Sequence, residues 1–185
     1  CQSSAASDVY KRQSLNFSKN YEIIGRNGSG KTTLIMCISN NFIGNTFNSN
    51  IYRKDTSIME IGSSPSLMPE LSLLENIKYF LFNENINETT ISNVLDKYEL
   101  DSFKSDLIGD FSSGMVKRSE IAIADLKNPK VLCIDEPKVY LDENGVDLLL
   151  NLITKREKEG NASILSSQES IGAFTSIERS INLND

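Results

Sequence analysis

Apolar positions fall in two rhythms along the chain, short continuous runs and longer stretches spaced by three and four, and their order predicts alternating strands and helices. Tyr21-Glu22-Ile23-Ile24 reads as a strand and Leu34-Ile35-Met36-Cys37-Ile38 as the start of a helix, with a glycine-rich turn between them. A second strand is expected near Ile58 to Ile61. Ser72 and Glu75 have the spacing of a capping box, and open a helix carrying Ile77, Phe80 and Leu81. Ile91, Val94, Leu95 and Tyr98 give a second helix one apolar face. Val131-Leu132-Cys133-Ile134 is apolar without interruption, as a strand covered on both faces must be. Val146, Leu149, Leu150 and Ile153 then share a helix face, with Gly160 placed as its C-terminal stop. Strands at 162 to 166 and 177 to 183 complete a mostly parallel sheet, and the Asn-rich stretch from Asn40 to Asn50 reads as loop. The sum is an α/β fold with a helical insertion and no repeats or heptads.

The turn after the first strand changes this picture from architecture to chemistry. Gly25-Arg26-Asn27-Gly28-Ser29-Gly30-Lys31-Thr32-Thr33 is a complete phosphate-binding loop between a strand and a helix. Its glycines allow positive φ and close approach to phosphate oxygens, while successive N–H groups and the helix N-terminus favour an anion. Lys31 is placed to reach the β- and γ-phosphates of a nucleotide, Thr32 to put its hydroxyl on Mg2+, and Thr33 to touch the α-phosphate. The buried run 131–134 ends in Asp135-Glu136-Pro137, at the sheet edge where open α/β folds bind ligands. Asp135 is the candidate Mg2+ ligand and Glu136 the candidate base for an attacking water. Taken alone, that tripeptide reads better as a solvated turn after a core strand, and the complete phosphate-binding loop beside it shifts the reading to catalysis.

Phe111-Ser112-Ser113-Gly114-Met115-Val116-Lys117-Arg118, upstream of the acidic pair, is a Ser-Gly turn opening a helix, and it resembles the LSGGQ-like signature of ATP-binding cassette ATPases. With the three motifs in this order, the chain resembles an ABC transporter ATPase subunit from about residue 14 to the C-terminus. The resemblance implies a P-loop NTPase (RecA-like) core over 14–62 and 127–185, with a helical subdomain over 63–126 that docks a transmembrane permease. It further implies a homo- or heterodimer in which each ATP lies between one P-loop and the partner's signature, here Ser112, Ser113 and Gly114. Leu67 to Ile77 is similar to the segment after the family's Q-loop, Tyr140-Leu141-Asp142 falls where the D-loop belongs, and Ile164 to Glu169 is similar to the switch segment.

The departures are as informative. The chain contains no histidine, so the switch histidine is absent and Gln168 stands in its place. Gln2 and Gln13 are the only other glutamines, so the Q-loop glutamine is absent too, with Ser63 or Ser64 near its position. Glutamine can donate a hydrogen bond but cannot become cationic, which points to tight nucleotide binding with slowed hydrolysis. The adenine-stacking aromatic is unassigned, since Tyr10 lies too near the P-loop and Tyr21 is on its strand. Ser113 replaces the second signature glycine.

Composition bounds the remainder. The 185 residues are 39% hydrophobic with a net charge of −6, which fits one domain and disfavours nucleic acid as a partner. No apolar run approaches the roughly 18 to 20 residues of a membrane span, so the expected location is cytoplasmic and peripheral to the membrane through a partner. Cys37 and Cys133 are flanked by apolar residues and are expected to be buried small hydrophobes. Residues 1–13 have no apolar period and resemble adapter read-through; they are read as a non-native segment, the alternative being a short, unusual N-terminus. Transport leads, with a nucleotide-gated dimerisation module of little turnover, or a soluble cassette outside transport, as the alternatives.

Overall fold

In the computed structural model the described residues are 19–39, 56–170 and 177–183. The Asn-rich stretch and residues 1–13 lie outside them. Five strands, β1 (Asn20–Ile24), β2 (Ile58–Ile61), β3 (Val131–Asp135), β4 (Ala162–Ser167) and β5 (Ile177–Asn182), form one sheet in the order β2-β3-β4-β1-β5. Every pairing is parallel, so all five carboxyl ends share one edge. The expected terminal strand stops one residue short of 183, although Leu183 N still donates to Ile24 O at 2.8 Å.

β3 is an interior strand, between β2 and β4, and all five of its residues are buried. Its alternation divides the core as a two-faced strand requires. Val131 and Cys133 pack with Tyr21, Ile23, Ile35, Ile38 and Ile164, against helix α1 (Lys31–Ser39). Leu132 and Ile134 face the other way, into the larger core with Leu149, Leu152 and Ile153 of helix α5 (Glu143–Lys158). That core continues into three further helices, α2 (Leu73–Phe80), α3 (Glu88–Lys97) and α4 (Ser113–Lys127), all between β2 and β3 in sequence. Cys133 is buried as expected, whereas Cys37 is only half-buried because it lies beside the face of α1 that meets the sheet.

The predicted caps form. Ser72 caps α2 by accepting from Glu75 N–H, and the Glu75 carboxylate accepts from Ser72 N–H at 2.8 Å. Gly160 takes φ +73 just beyond α5 and ends it. The buried face of α5 differs from expectation. Leu149 and Ile153 are buried as predicted, but Leu152 and Arg156 complete the face, while Val146 and Leu150 are half-buried. The phase is chosen by Arg156, which is fully buried and bonds Pro129 O at 2.8 Å, Ala162 O at 2.9 Å and Asn128 Oδ1 at 3.0 Å. Burial lowers its pKa to about 10, which leaves it charged at neutral pH.

A second buried charge ties the helices together. Asp125 of α4 accepts from Lys97 of α3 at 2.8 Å, Lys155 of α5 at 2.9 Å and the Tyr98 hydroxyl at 3.1 Å. Burial by itself raises the Asp125 pKa, but hydrogen bonds from Lys97 and Lys155 outweigh it and the net shift is downward. A carboxylate with a depressed folded pKa contributes stability above its unfolded pKa of about 3.9, and that stability is lost as pH falls through the folded value. Asp125→Asn is therefore expected to lower unfolding free energy by about 1–3 kcal/mol at pH 7, with half-exposed lysines limiting the effect. Urea titrations across pH test this: the difference from the parent should shrink below about pH 4, and a constant difference would exclude the charge as its origin.

Candidate active site

The β1–α1 turn supplies the first half of the site. Gly28 and Gly30 take φ +80 and +96, and an added Cβ at either would meet nothing within 4 Å, so conformation and not space requires glycine there. Gly25 differs: a Cβ would fall inside contact distance of Ser29 Oγ and 3.2 Å from Leu183 Cβ. Helix α1 begins at Lys31 and has no acidic residue in its first turn, so its N-terminal N–H groups retain their pull on an anion. Ser29 Oγ is buried with no hydrogen-bond partner among the described residues.

Lys31 is 5% exposed, and its ammonium is held by Gly25 O at 2.9 Å, Arg26 O at 3.3 Å and Glu136 Oε1 at 3.1 Å. Beside it, Thr32 Oγ1 donates to Asp135 Oδ2 at 2.7 Å. The other Asp135 oxygen accepts from Ser166 Oγ, directly across the β3–β4 register. Glu136, the first residue past β3, has φ +49, a left-handed conformation for a residue with a Cβ. Such conformations persist where surrounding structure imposes them, and here Glu136 N is tied to Ser166 O at 3.1 Å. Thr33 is half-buried on the first turn of α1, and Asn27 is exposed on the loop.

The sheet order brings Gln168 to the same edge. β4 lies between β3 and β1, Gly25 N donates to Ser167 O at 3.2 Å, and Gln168 follows, exposed. Two serines and a carboxylate missed from sequence support it: Ser167 Oγ and Ser170 Oγ, flanking Gln168 and Glu169, donate to the buried Glu22 of β1 at 3.1 and 2.9 Å. Ser63 and Ser64 are exposed in the turn after β2.

Ser112, Ser113 and Gly114 lie elsewhere. Ser112 caps α4 by accepting from Met115 N–H at 3.2 Å, and none of the three bonds to the P-loop among the described residues. A Cβ at Gly114 would come to 3.2 Å from Tyr140 O, where Tyr140 itself has φ +73. Asp142 caps α5 through Gly145 N–H at 2.8 Å and pairs with Arg118 at 2.8 Å. Hydrogen bonds from Arg118, then from Gly145, hold its carboxyl below the usual range. The turn 112–114 and the segment 140–142 therefore abut within one chain, outside the P-loop.

A parallel sheet whose carboxyl edge carries a glycine loop, a buried lysine and a Thr–Asp pair defines a P-loop nucleotide-binding domain. The family model described as ABC transporter matches residues 12–139. The chain belongs to the ABC transporter family, as one of its ATP-binding subunits. It is 35% identical over 158 residues to the lantibiotic transport ATP-binding protein SrtF of Streptococcus pyogenes, covering 80% of this chain and 68% of that one. The cytochrome c biogenesis ATP-binding export protein CcmA of Reclinomonas americana is 32% identical over 171 residues, covering 84% and 77%. In fold, a dimeric ATP-binding cassette solved in a post-hydrolysis state with ADP and Pi superposes with a TM-score of 0.76 at 22% identity, covering 93% of this chain and 84% of that one. The expected α/β class with a parallel sheet holds.

If conformation alone requires Gly30, then Gly30→Ala should lower stability by about 1–3 kcal/mol with no steric clash to relieve. Denaturant unfolding measures it, and a change below about 0.5 kcal/mol would mean that the loop relaxes freely.

Proposed function

We propose that this subunit hydrolyses ATP and couples binding and hydrolysis to the movement of a membrane-embedded permease. The observation that carries the reading is the Thr32–Asp135 contact of 2.7 Å beside a buried Lys31 that reaches Glu136 at 3.1 Å. The residues fit a nucleotide with a divalent cation. Lys31 is a buried cation held by exchangeable partners, Ser29 Oγ is buried without one among the described residues, and a hydroxyl lies against a carboxylate as a hard cation requires. Thr32 and Asp135 would hold Mg2+, which neutralises charge on phosphoryl oxygens when bound.

In this reading the N–H groups of the loop, Gly25 through Gly30 with Asn27, Gly28 and Ser29, wrap the phosphates of ATP. Lys31 serves the β- and γ-phosphates and Thr33 the α-phosphate. Arriving phosphate competes for the Lys31 ammonium, which turns from Glu136 and leaves that carboxylate to orient a water and accept its proton. Gln168 donates to the γ-phosphate or the water from its place after β4, without the charge a histidine could bring. Ser112, Ser113 and Gly114 serve ATP bound to a second cassette, in a homo- or heterodimer, with Asp142 of the D-loop at that interface. Core 14–62 and 127–185 carries the nucleotide, and 63–126 docks the permease, which leaves the protein cytoplasmic and peripheral to the membrane. Among the described residues no helix is long and apolar enough to cross a membrane, consistent with a partner providing the spans. Similarity to SrtF, a lantibiotic transport protein, and to CcmA, a cytochrome c biogenesis export protein, favours transport over the non-transport alternative.

A second reading, nucleotide-gated dimerisation with little turnover, is favoured by one observation: the chain has no histidine, and Gln168 stands exposed in the switch position. Steady-state ATPase assays with parallel binding measurements separate the two. Glu136→Gln should reduce turnover by at least about 100-fold while ATP affinity stays within a few fold. Turnover insensitive to this change would remove Glu136 as the base, and binding without turnover in the parent would select the gated module. Gln168→His should raise turnover, and an unchanged or lower rate would count against the missing charge as the cause of slow hydrolysis.

A further inference from the structure

Two charged side chains are buried in α4 where no step of phosphate chemistry calls for them. Lys117 and Glu120 are 5% and 0% exposed, and their charged atoms lie 3.1 Å apart. Lys117 Nζ donates to Gly62 O at 2.7 Å. Glu120 Oε1 accepts from Ser66 N–H at 2.8 Å and from Ser66 Oγ at 3.1 Å. The turn 62–66 is thus gripped at both ends by one helix.

What the pair joins gives it meaning. Gly62 follows directly on β2, whose last residue Ile61 is in register with Ile134, the residue before Asp135. Ser63 and Ser64, inside the gripped turn, stand where the family resemblance expects a glutamine. At its other end, the pair lies about one to two helical turns beyond Ser113 and Gly114, at the start of α4. Desolvating two ions costs several kcal/mol, and well-packed apolar residues would anchor α4 in the core at least as well. Apolar side chains could not, however, set the backbone of 62–66 in a fixed hydrogen-bonded relation to α4.

We propose that Lys117 and Glu120 are positioning residues, a buried strut through which nucleotide at the sheet edge sets the placement of the signature turn. The strut holds the turn by two backbone grips, at Gly62 O and Ser66 N–H, and it rests on the nucleotide-binding reading above. Amide hydrogen exchange on the full chain, with and without ATP, tests it. In the parent, ATP should slow exchange in the P-loop 25–33 and also in 112–118. In Lys117→Met/Glu120→Leu, which strands no buried charge, P-loop protection should stay within about twofold while the response at 112–118 falls at least about fivefold. Lys117→Met/Glu120→Gln keeps an acceptor for Ser66 and should recover part of that response; it also carries the test should the first variant fail to fold. An undiminished response at 112–118 in the double variants, or no response there in a parent whose P-loop is protected, would overturn the strut. A parent P-loop unaffected by ATP would instead overturn the nucleotide-site reading, and the strut with it.

Discussion

A buried ammonium must be balanced before any ligand arrives, and the way this fold balances Lys31 organises the rest of the site. Its three contacts are two loop carbonyls and the Glu136 carboxylate. The carbonyls keep the loop closed over the charge, which requires positive φ at Gly28 and Gly30. Glu136 is held within reach by a left-handed backbone, tied in turn to Ser166 of the neighbouring strand. Phosphate oxygens are stronger partners for an ammonium than peptide carbonyls, so the arrangement is stable alone and easily exchanged. A cation already in position costs little reorganisation when the ligand binds.

The same logic of paired buried charge recurs away from the nucleotide. Asp125 joins α3, α4 and α5, and the Lys117–Glu120 pair joins α4 to the turn after β2. Arg156 pins the end of α5 to the start of β4 through hydrogen bonds to carbonyl and side-chain oxygens. Apolar packing unites the helices with one face of the sheet, whereas these charges set how the elements are oriented within that packing. Breaking one partner of such a set leaves the other exposed to the full penalty of burial, which makes the set sensitive and specific at once.

Local signals in the sequence were strong where physics is local. The P-loop, the capping box at Ser72 and the stop at Gly160 each depend on residues within a few positions, and all were legible. β3 was legible because a strand covered on both faces is apolar without interruption, and the acidic pair that follows closes the run at strand length. The phase of α5 was not, because Leu148-Leu149-Leu150 and Leu152-Ile153 offer apolar residues on adjoining faces and the sheet, through Arg156, selects among them. Ser166 escaped notice for a related reason: it matters only because it lies opposite Asp135, a register set between strands thirty-one residues apart. Glu22, Lys117 and Glu120 carry buried charges, and the groups that hydrogen-bond them from other elements lie far off in sequence. The site residues named from motifs came together at one edge for Gly25 to Thr33, Asp135, Glu136 and Gln168, while Ser112 to Gly114 and Asp142 formed a separate cluster on the same chain.

In the proposed function, Lys31 exchanges its protein partners for phosphate. Equilibrium binding of ATP with Mg2+ to the parent and to Lys31→Met measures this without depending on turnover. Binding by the parent should be saturable, and the variant should lose at least about tenfold in affinity, the size expected for a hydrogen bond to a charged group. Equal affinity in the two proteins would contradict it, because the ammonium at the centre of the site would then be a structural charge that nucleotide never engages.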